Sequence, residues 1–291
     1  MSDARTITVG VDGSAPALAA LDWAARYAHA RTAPLEVVVA VGWPAERPVY
    51  GGYRLAELKD AARIDGERTL GRAVDRVRAA LPDLAVSGRV SDGPAVQTLL
   101  DASAFSDPVV VGCRGLDPAA SVLLGSVSSA VVTHAESNVV VVRADRHPGP
   151  EAPVVVGVDG SERSETTLAA AFAEADRWNA PLIVAHAWSD VSLVGMFGSS
   201  VVPSWIEARR DAEALVAHQV DAWRAKYPSV RVGTVVEREA PARMLRERSA
   251  TAGLVVVGSH GRGGFAGMRL GSVARQLAHH ADAPVLVVRT H

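Results

Sequence analysis

Apolar positions fall into two alternating kinds of run. Short β-branched runs, such as TITVGV (6–11) and VVVVR (139–143), read as buried parallel strands. Longer stretches between them carry helical periodicity. SAPALAALDWAARYAHA (14–30) places Ser14 as an N-cap and Pro16 in the first turn. LKDAARIDGERTLGRAVDRVRAAL (58–81) reads as a long amphipathic helix. In the first half the pattern predicts strands over about 5–11, 35–42, 85–90, 108–113 and 138–143. Strands alternating with helices predict a doubly wound α/β fold.

The pattern is written twice. ITVGVDGSAPALAAL (7–21) matches VVVGVDGSERSETTL (154–168), and APLEVVVA (33–40) matches APLIVAHA (180–187). DPVVVGCRG (107–115) matches GLVVVGSHG (253–261), and GSVSSAVVTHAESNVVVVR (125–143) matches GSVARQLAHHADAPVLVVR (271–289). A period this long is a duplicated domain rather than a solenoid unit. The join, ADRHPGPEA (144–152), is polar and holds two prolines, as linkers do. Two tandem domains are expected, 1–146 and 151–291. Each should be a five-stranded parallel sheet of order 3-2-1-4-5 with helices on both faces. Ligands of such sheets bind beyond the carboxyl ends of the strands, where the order switches. VGVDGS (9–14) and the loop that begins at Gly258 both leave such ends, so the first- and fourth-strand loops of each half should face one crevice.

Composition narrows the partners. The 291 residues are 48% hydrophobic, ample for two cores, and the net charge of −2 argues against nucleic acid. No apolar run has the length of a membrane span. The opening MSDARTITVG lacks an apolar signal region, and Cys113 is the single cysteine, so a reducing cytoplasm is the expected location.

The candidate chemistry lies in GSHGRGGFAGMRLGS (258–272), rich in glycine, free of carboxylates and carrying arginine and histidine. Such a loop lets backbone N–H groups approach an anion. A P-loop is excluded because its lysine is missing, and a dinucleotide fingerprint should follow the first strand, not the fourth. The pattern that fits is Gly258-x2-Gly261-x9-Gly271-Ser272, repeated as Gly112-x2-Gly115-x9-Gly125-Ser126. In this reading the first two glycines turn the chain off the strand and leave room for a ligand. The final Gly-Ser opens a helix whose N-terminus favours phosphate.

With this spacing, an aspartate in VGVDGS and a closing HADAPVLVVR, the chain resembles the universal stress protein family, ATP-binding branch, in tandem form. The resemblance covers nearly all of both copies. It implies a nucleotide-binding α/β fold that holds ATP, a role in stress survival or growth arrest, and pairing of halves or subunits through the fifth strand. It places Asp12 and Asp159 at the ribose or a bound Mg²⁺, with the backbone of Gly10, Val11, Gly157 and Val158 on the same edge. Ala40 and Ala187, give or take one residue, meet the adenine. Gly112, Gly115, Gly125, Ser126, Gly258, Gly261, Gly271 and Ser272 hold phosphates. Val127 and Val273 add N–H donors, Ser128 a hydroxyl, and Arg262 a charge for the outer phosphates.

The copies differ. In GCRGLDPAASVLLGS (112–126), Leu116, Asp117, Pro118 and Leu123 replace Arg262, Gly263, Gly264 and Arg269, while Arg114 stands opposite His260. Two cations and one N–H are lost and an anion is gained, so the first site should bind nucleotide more weakly. Capping of their helices is the plainer role for Asp12 and Asp159, and the two roles are compatible. His279 and His280 read as a helix end rather than a metal site. Cys113 reads as an inert thiol. WPAERPVYGGYR (43–54) and WSDVSLVGMFGSSVVPSWIEA (188–208) are long for turns and hint at a lid or contact surface. The strands at 138–144 and 284–290 would be open edges, which invite pairing of the halves and, beyond it, a homodimer. Three functions fit: a nucleotide-dependent regulator with an unidentified protein partner, a slow ATPase, and an interaction protein with a vestigial site. With no evident general base and no P-loop lysine, binding is favoured over catalysis.

Overall fold

A computed structural model describes residues 5–42, 55–113, 124–143, 146–188, 205–262 and 269–290. The chain divides into two compact units, Met1–Asp145 and Arg146–His291. Arg146 donates to the Ala250 carbonyl of the second unit. Gly253, where the first copy has Asp107, explains itself here: a Cβ would lie 2.4 Å from the His147 carbonyl oxygen, so the linker packs on bare backbone.

The first unit runs β1 (Thr6–Gly10), α1 (Ala15–Arg31), β2 (Leu35–Val41), α2 (Leu55–Ala80), β3 (Val86–Asp92), α3 (Ala95–Ser103), β4 (Ser106–Gly112), α4 (Ser126–His134) and β5 (Val139–Val142). All its strand pairs are parallel. β1 lies between β2 and β4, with β3 beyond β2 and β5 beyond β4. The third strand begins at Val86 and extends to Asp92, beyond the expected 90. The fourth begins two residues early, at Ser106, where the Thr8 hydroxyl lies 2.6 Å from that of Ser106 and joins the strand starts.

Helices cover both faces. A Cβ on Gly10 would meet Leu99 of α3, and one on Gly88 would meet Leu70 and Val74 of α2. Gly10 shares a row with Val38 and Arg89, the neighbour of Gly88, so the two contacts fall on opposite faces. The α1 face is dense: Trp23 and Tyr27 are fully buried and stack at 4.6 Å between ring centroids.

The second unit repeats this as β6 (Val154–Val158), α5 (Ser164–Arg177), β7 (Leu182–Trp188), α6 (Trp205–Lys226), β8 (Val232–Arg238), α7 (Pro241–Ser249), β9 (Leu254–Gly258), α8 (Ser272–His280) and β10 (Val285–Val288). β6 lies between β7 and β9, with β8 and β10 outside them. One local difference matters. Helix α1 starts directly after Ser14, whose hydroxyl accepts from the Ala17 amide at 3.3 Å. Helix α5 starts at Ser164, beyond Ser161, the counterpart of Ser14.

Ser14→Ala should remove that cap and lower stability by about 1 kcal/mol. The expected readout is an earlier urea midpoint with an unchanged slope; an unchanged midpoint overturns the capping role.

Candidate functional site

At the carboxyl ends of β1 and β6 the chain turns through Asp-Gly-Ser. The central glycines have left-handed backbone, φ +81° at Gly13 and +75° at Gly160, which costs a residue without Cβ little. Asp12 is exposed, and its Oδ1 accepts from the Ser14 amide at 2.9 Å.

Asp159 is half-buried. Its Oδ1 accepts from the Ser161 amide (3.0 Å), the Ser161 hydroxyl (2.6 Å) and the Ser164 hydroxyl (2.9 Å). Its Oδ2 accepts from the Arg262 amide at 2.5 Å. Burial raises its pKa, but the bonds from Ser161, Arg262 and Ser164 outweigh burial and hold the carboxyl below its ordinary value. The site therefore presents a fixed negative charge at neutral pH. The Arg262 guanidinium donates to the Gly160 carbonyl at 2.9 Å. The glycine loop of the fourth strand thus meets the acidic turn of the first, as strand order requires.

The glycines also have a packing reason. A Cβ on Gly112 would lie 2.7 Å from the Pro16 carbonyl oxygen, and one on Gly258 would lie 2.9 Å from Thr167 Oγ1. These residues are small so that α1 and α5 can pack against the strand ends. Gly261 serves the site: its Cβ would lie 2.7 Å from Asp159 Oδ2. A Cβ on Gly271 would in turn lie 3.6 Å from His260 Cα and 3.9 Å from the Gly261 nitrogen. The acidic turn, Gly261 and the start of α8 are thus contiguous. Gly271 is the N-cap of α8 and Gly125 that of α4, each without a side-chain cap. The first intrahelical bonds come from Ser129 to Gly125 and from Arg275 to Gly271. Ser126 and Val127, and Ser272 and Val273, therefore sit where helical amides lack an intrahelical acceptor.

Other expected residues divide. Gly10, Val11, Gly157 and Val158 lie at the ends of β1 and β6, and Ala40 and Ala187 near the ends of β2 and β7. Ser128 is buried, and its hydroxyl donates to the Gly112 carbonyl at 2.6 Å, which ties the start of α4 to the end of β4. Gly115, Arg114, Leu116–Leu123 and the stretches 43–54 and 189–204 lie outside the described residues. Cys113 is half-buried, and its carbonyl accepts from the Gly125 amide. Among the described residues no three His, Cys, Asp or Glu side chains cluster to hold a metal. One carboxylate per site still suits a Mg²⁺ that keeps water and phosphate ligands.

Two residues escaped the sequence reading. His186, buried on β7, has Nδ1 2.9 Å from the Val158 carbonyl oxygen, so Nδ1 carries the proton. Burial lowers its pKa, the Val158 bond opposes this, Arg262 lowers it further and Asp159 raises it; the net value lies below the ordinary one. Gln219 on α6 donates from Nε2 to the Ser161 carbonyl at 3.3 Å. The only trace of His186 was a polar residue in LIVAHAW, and Gln219 left none.

Gly261→Ala should force Asp159 aside and weaken ligand binding at the second site at least about tenfold while the chain stays folded, measured by calorimetry. A pH prediction follows from His186 and Asp159. Each has a native pKa below its unfolded value, so its stabilisation is complete above the unfolded pKa and is lost as pH falls through the native one. The window opens below about pH 6.5 for His186 and below about pH 4 for Asp159. Acidifying from about pH 7.5 to about pH 5 should lower the melting midpoint, and His186→Asn should flatten that slope. An unaltered slope overturns the assignment.

The universal stress protein family model matches residues 4–143 and 152–289. A universal stress protein of Mycolicibacterium smegmatis is 39% identical over 293 residues, covering 97% of this chain and 96% of that one. One of Mycobacterium tuberculosis is 40% identical over 291 residues, with the same coverage. The crystal structure of a universal stress protein from Archaeoglobus fulgidus covers 99% of this chain and 100% of its own at 18% identity and a TM-score of 0.74, a likeness of fold. Among the described residues no helix is long and apolar enough to cross a membrane. The chain belongs to the universal stress protein family, with one family domain in each half.

Proposed function

We propose that the chain is an ATP-binding regulator of stress survival or growth arrest, acting in the cytoplasm by nucleotide occupancy rather than by turnover. The observation that carries this reading is the contiguity, in the second half, of the Asp159 turn, Gly261 and the N-terminus of α8. A carboxylate held ionised suits ribose hydroxyls or a Mg²⁺. A helix start with unmatched amides suits phosphates, and Arg262 adds a cation beside it. Ala187 borders the same strand ends and suits an adenine face. Asp12, Gly112, Gly125, Ser126 and Val127 form the corresponding set in the first half, with Gly115 as the expected loop member. The fifth strands supply the edges through which the two domains would pair, and a homodimer would extend that association.

The test is direct. Purified without added nucleotide and then denatured, the protein should release ATP, identified by mass spectrometry. Calorimetry of the emptied chain with ATP and Mg²⁺ should give two unequal sites. Asp159→Ala should weaken the tighter one by about tenfold or more, as loss of a charged hydrogen-bonding group does. Release of ADP would instead favour a slow ATPase. No nucleotide released and none bound would overturn the proposal.

A further inference from the structure

Three consecutive parts of the second acidic turn are held by side chains from three different elements. His186 on β7 donates to the Val158 carbonyl (2.9 Å), Arg262 in the glycine loop to the Gly160 carbonyl (2.9 Å), and Gln219 on α6 to the Ser161 carbonyl (3.3 Å). Between those carbonyls stands Asp159. Its backbone and carboxylate are fixed before any ligand arrives.

The first half has the same Asp-Gly-Ser turn, and the repeat sets none of these three donors beside it: Leu116 stands opposite Arg262. Val39 stands opposite His186 in the repeat. For the long helices the structure itself gives the correspondence. The Cβ position of Gly13 lies 3.5 Å from Thr69 Cγ2, and that of Gly160 lies 2.3 Å from Leu215 Cδ2. Thr69 and Leu215 therefore occupy the same place beside the turn, and one helical turn further stand Ala73 and Gln219. Val39 and Ala73 are buried and have no side-chain donor.

Gln219 is a poor residue for packing alone. It is 8% exposed, and its Oε1 is buried with no hydrogen-bond partner among the described residues. Rotating the amide would set Oε1 against the Ser161 carbonyl oxygen, so the orphan acceptor comes with the bond to the turn. A buried orphan acceptor opposes folding. His186 likewise places an imidazole in an otherwise apolar strand, where a polar group is tolerated only when bonded.

We propose that His186 and Gln219 are positioning residues of the second site, which hold the turn that presents Asp159 and thereby make this half the tighter nucleotide site. The proposal rests on the nucleotide reading above. Its physical basis is pre-organisation: a turn already in its binding geometry loses less conformational freedom when the ligand is bound. The Asp12 turn lacks these two braces, so more of its ordering falls to the ligand.

The full-length chain tests this in two ways. The Ser14 and Ser161 amides are matched reporters, since each donates to the aspartate two residues earlier, at 2.9 and 3.0 Å. In nucleotide-free protein, hydrogen exchange should be slower at Ser161 than at Ser14. His186→Val with Gln219→Ala gives these two positions the residues of the first half, and should bring Ser161 exchange closer to that of Ser14 and weaken the tighter ATP site by about tenfold in calorimetry. His186→Asn, which keeps an N–H near the place of Nδ1, should retain the affinity that His186→Val loses. This pair of single variants carries the test if the double variant does not fold. Equal damage by Asn and Val marks a packing role and overturns the proposal. So does a folded double variant with unchanged affinity and exchange. A wild-type chain that binds no ATP overturns the nucleotide reading together with it, whereas two tight sites of equal affinity overturn this proposal alone.

Discussion

A half-buried carboxylate must have its oxygens satisfied, and the second site is organised around how Asp159 meets that demand. It accepts from its own turn through Ser161, from the start of α5 through Ser164, and from the glycine loop through the Arg262 amide. The last of these bonds joins segments that are distant in sequence and adjacent only because β6 and β9 are neighbours. If that adjacency were lost, the loop would have no partner and the carboxylate no fixed direction. The same bonds keep the group ionised, so the geometry and the charge of the site have one cause.

Glycine makes the adjacency sterically feasible. In both halves the last residue of the fourth strand carries no side chain because the helix after the first strand passes within contact distance of it. The obstacle is Pro16 backbone in one half and the Thr167 hydroxyl in the other. What looks like a ligand cradle in the sequence is therefore partly a packing joint. Among the described glycines of the two motifs, Gly261 is the one whose Cβ would strike the acidic side chain. The final glycine of each motif acts as an N-cap in extended backbone, leaving the first helical amides unclaimed.

Duplication allowed the halves to diverge in charge and bracing while keeping this frame. The first acidic turn leads straight into a capped helix. The second is separated from its helix by an extra turn and tied down by β7, α6 and the glycine loop. The buried polar groups that tie it, His186 and Gln219, stand where the first half has valine and alanine. Such groups are costly in an apolar core unless bonded, and both are bonded to the turn.

The repeat, the alternation of strands and helices, the N-cap at Ser14 and the glycine spacing that opens α4 and α8 are legible in the chain without its fold. These depend on local periodicity and on residues whose backbone preferences are strong. Only the packed structure shows why Gly112 and Gly258 are small, that the Ser128 hydroxyl turns inward to Gly112, and that Asp159 gathers bonds from Ser161, Ser164 and Arg262. It also decided that His186 and Gln219 reach one turn from two elements. Those facts depend on which atoms lie across a gap of a few ångströms between segments far apart in the chain, and a side chain carries no local mark of the partner it will meet there.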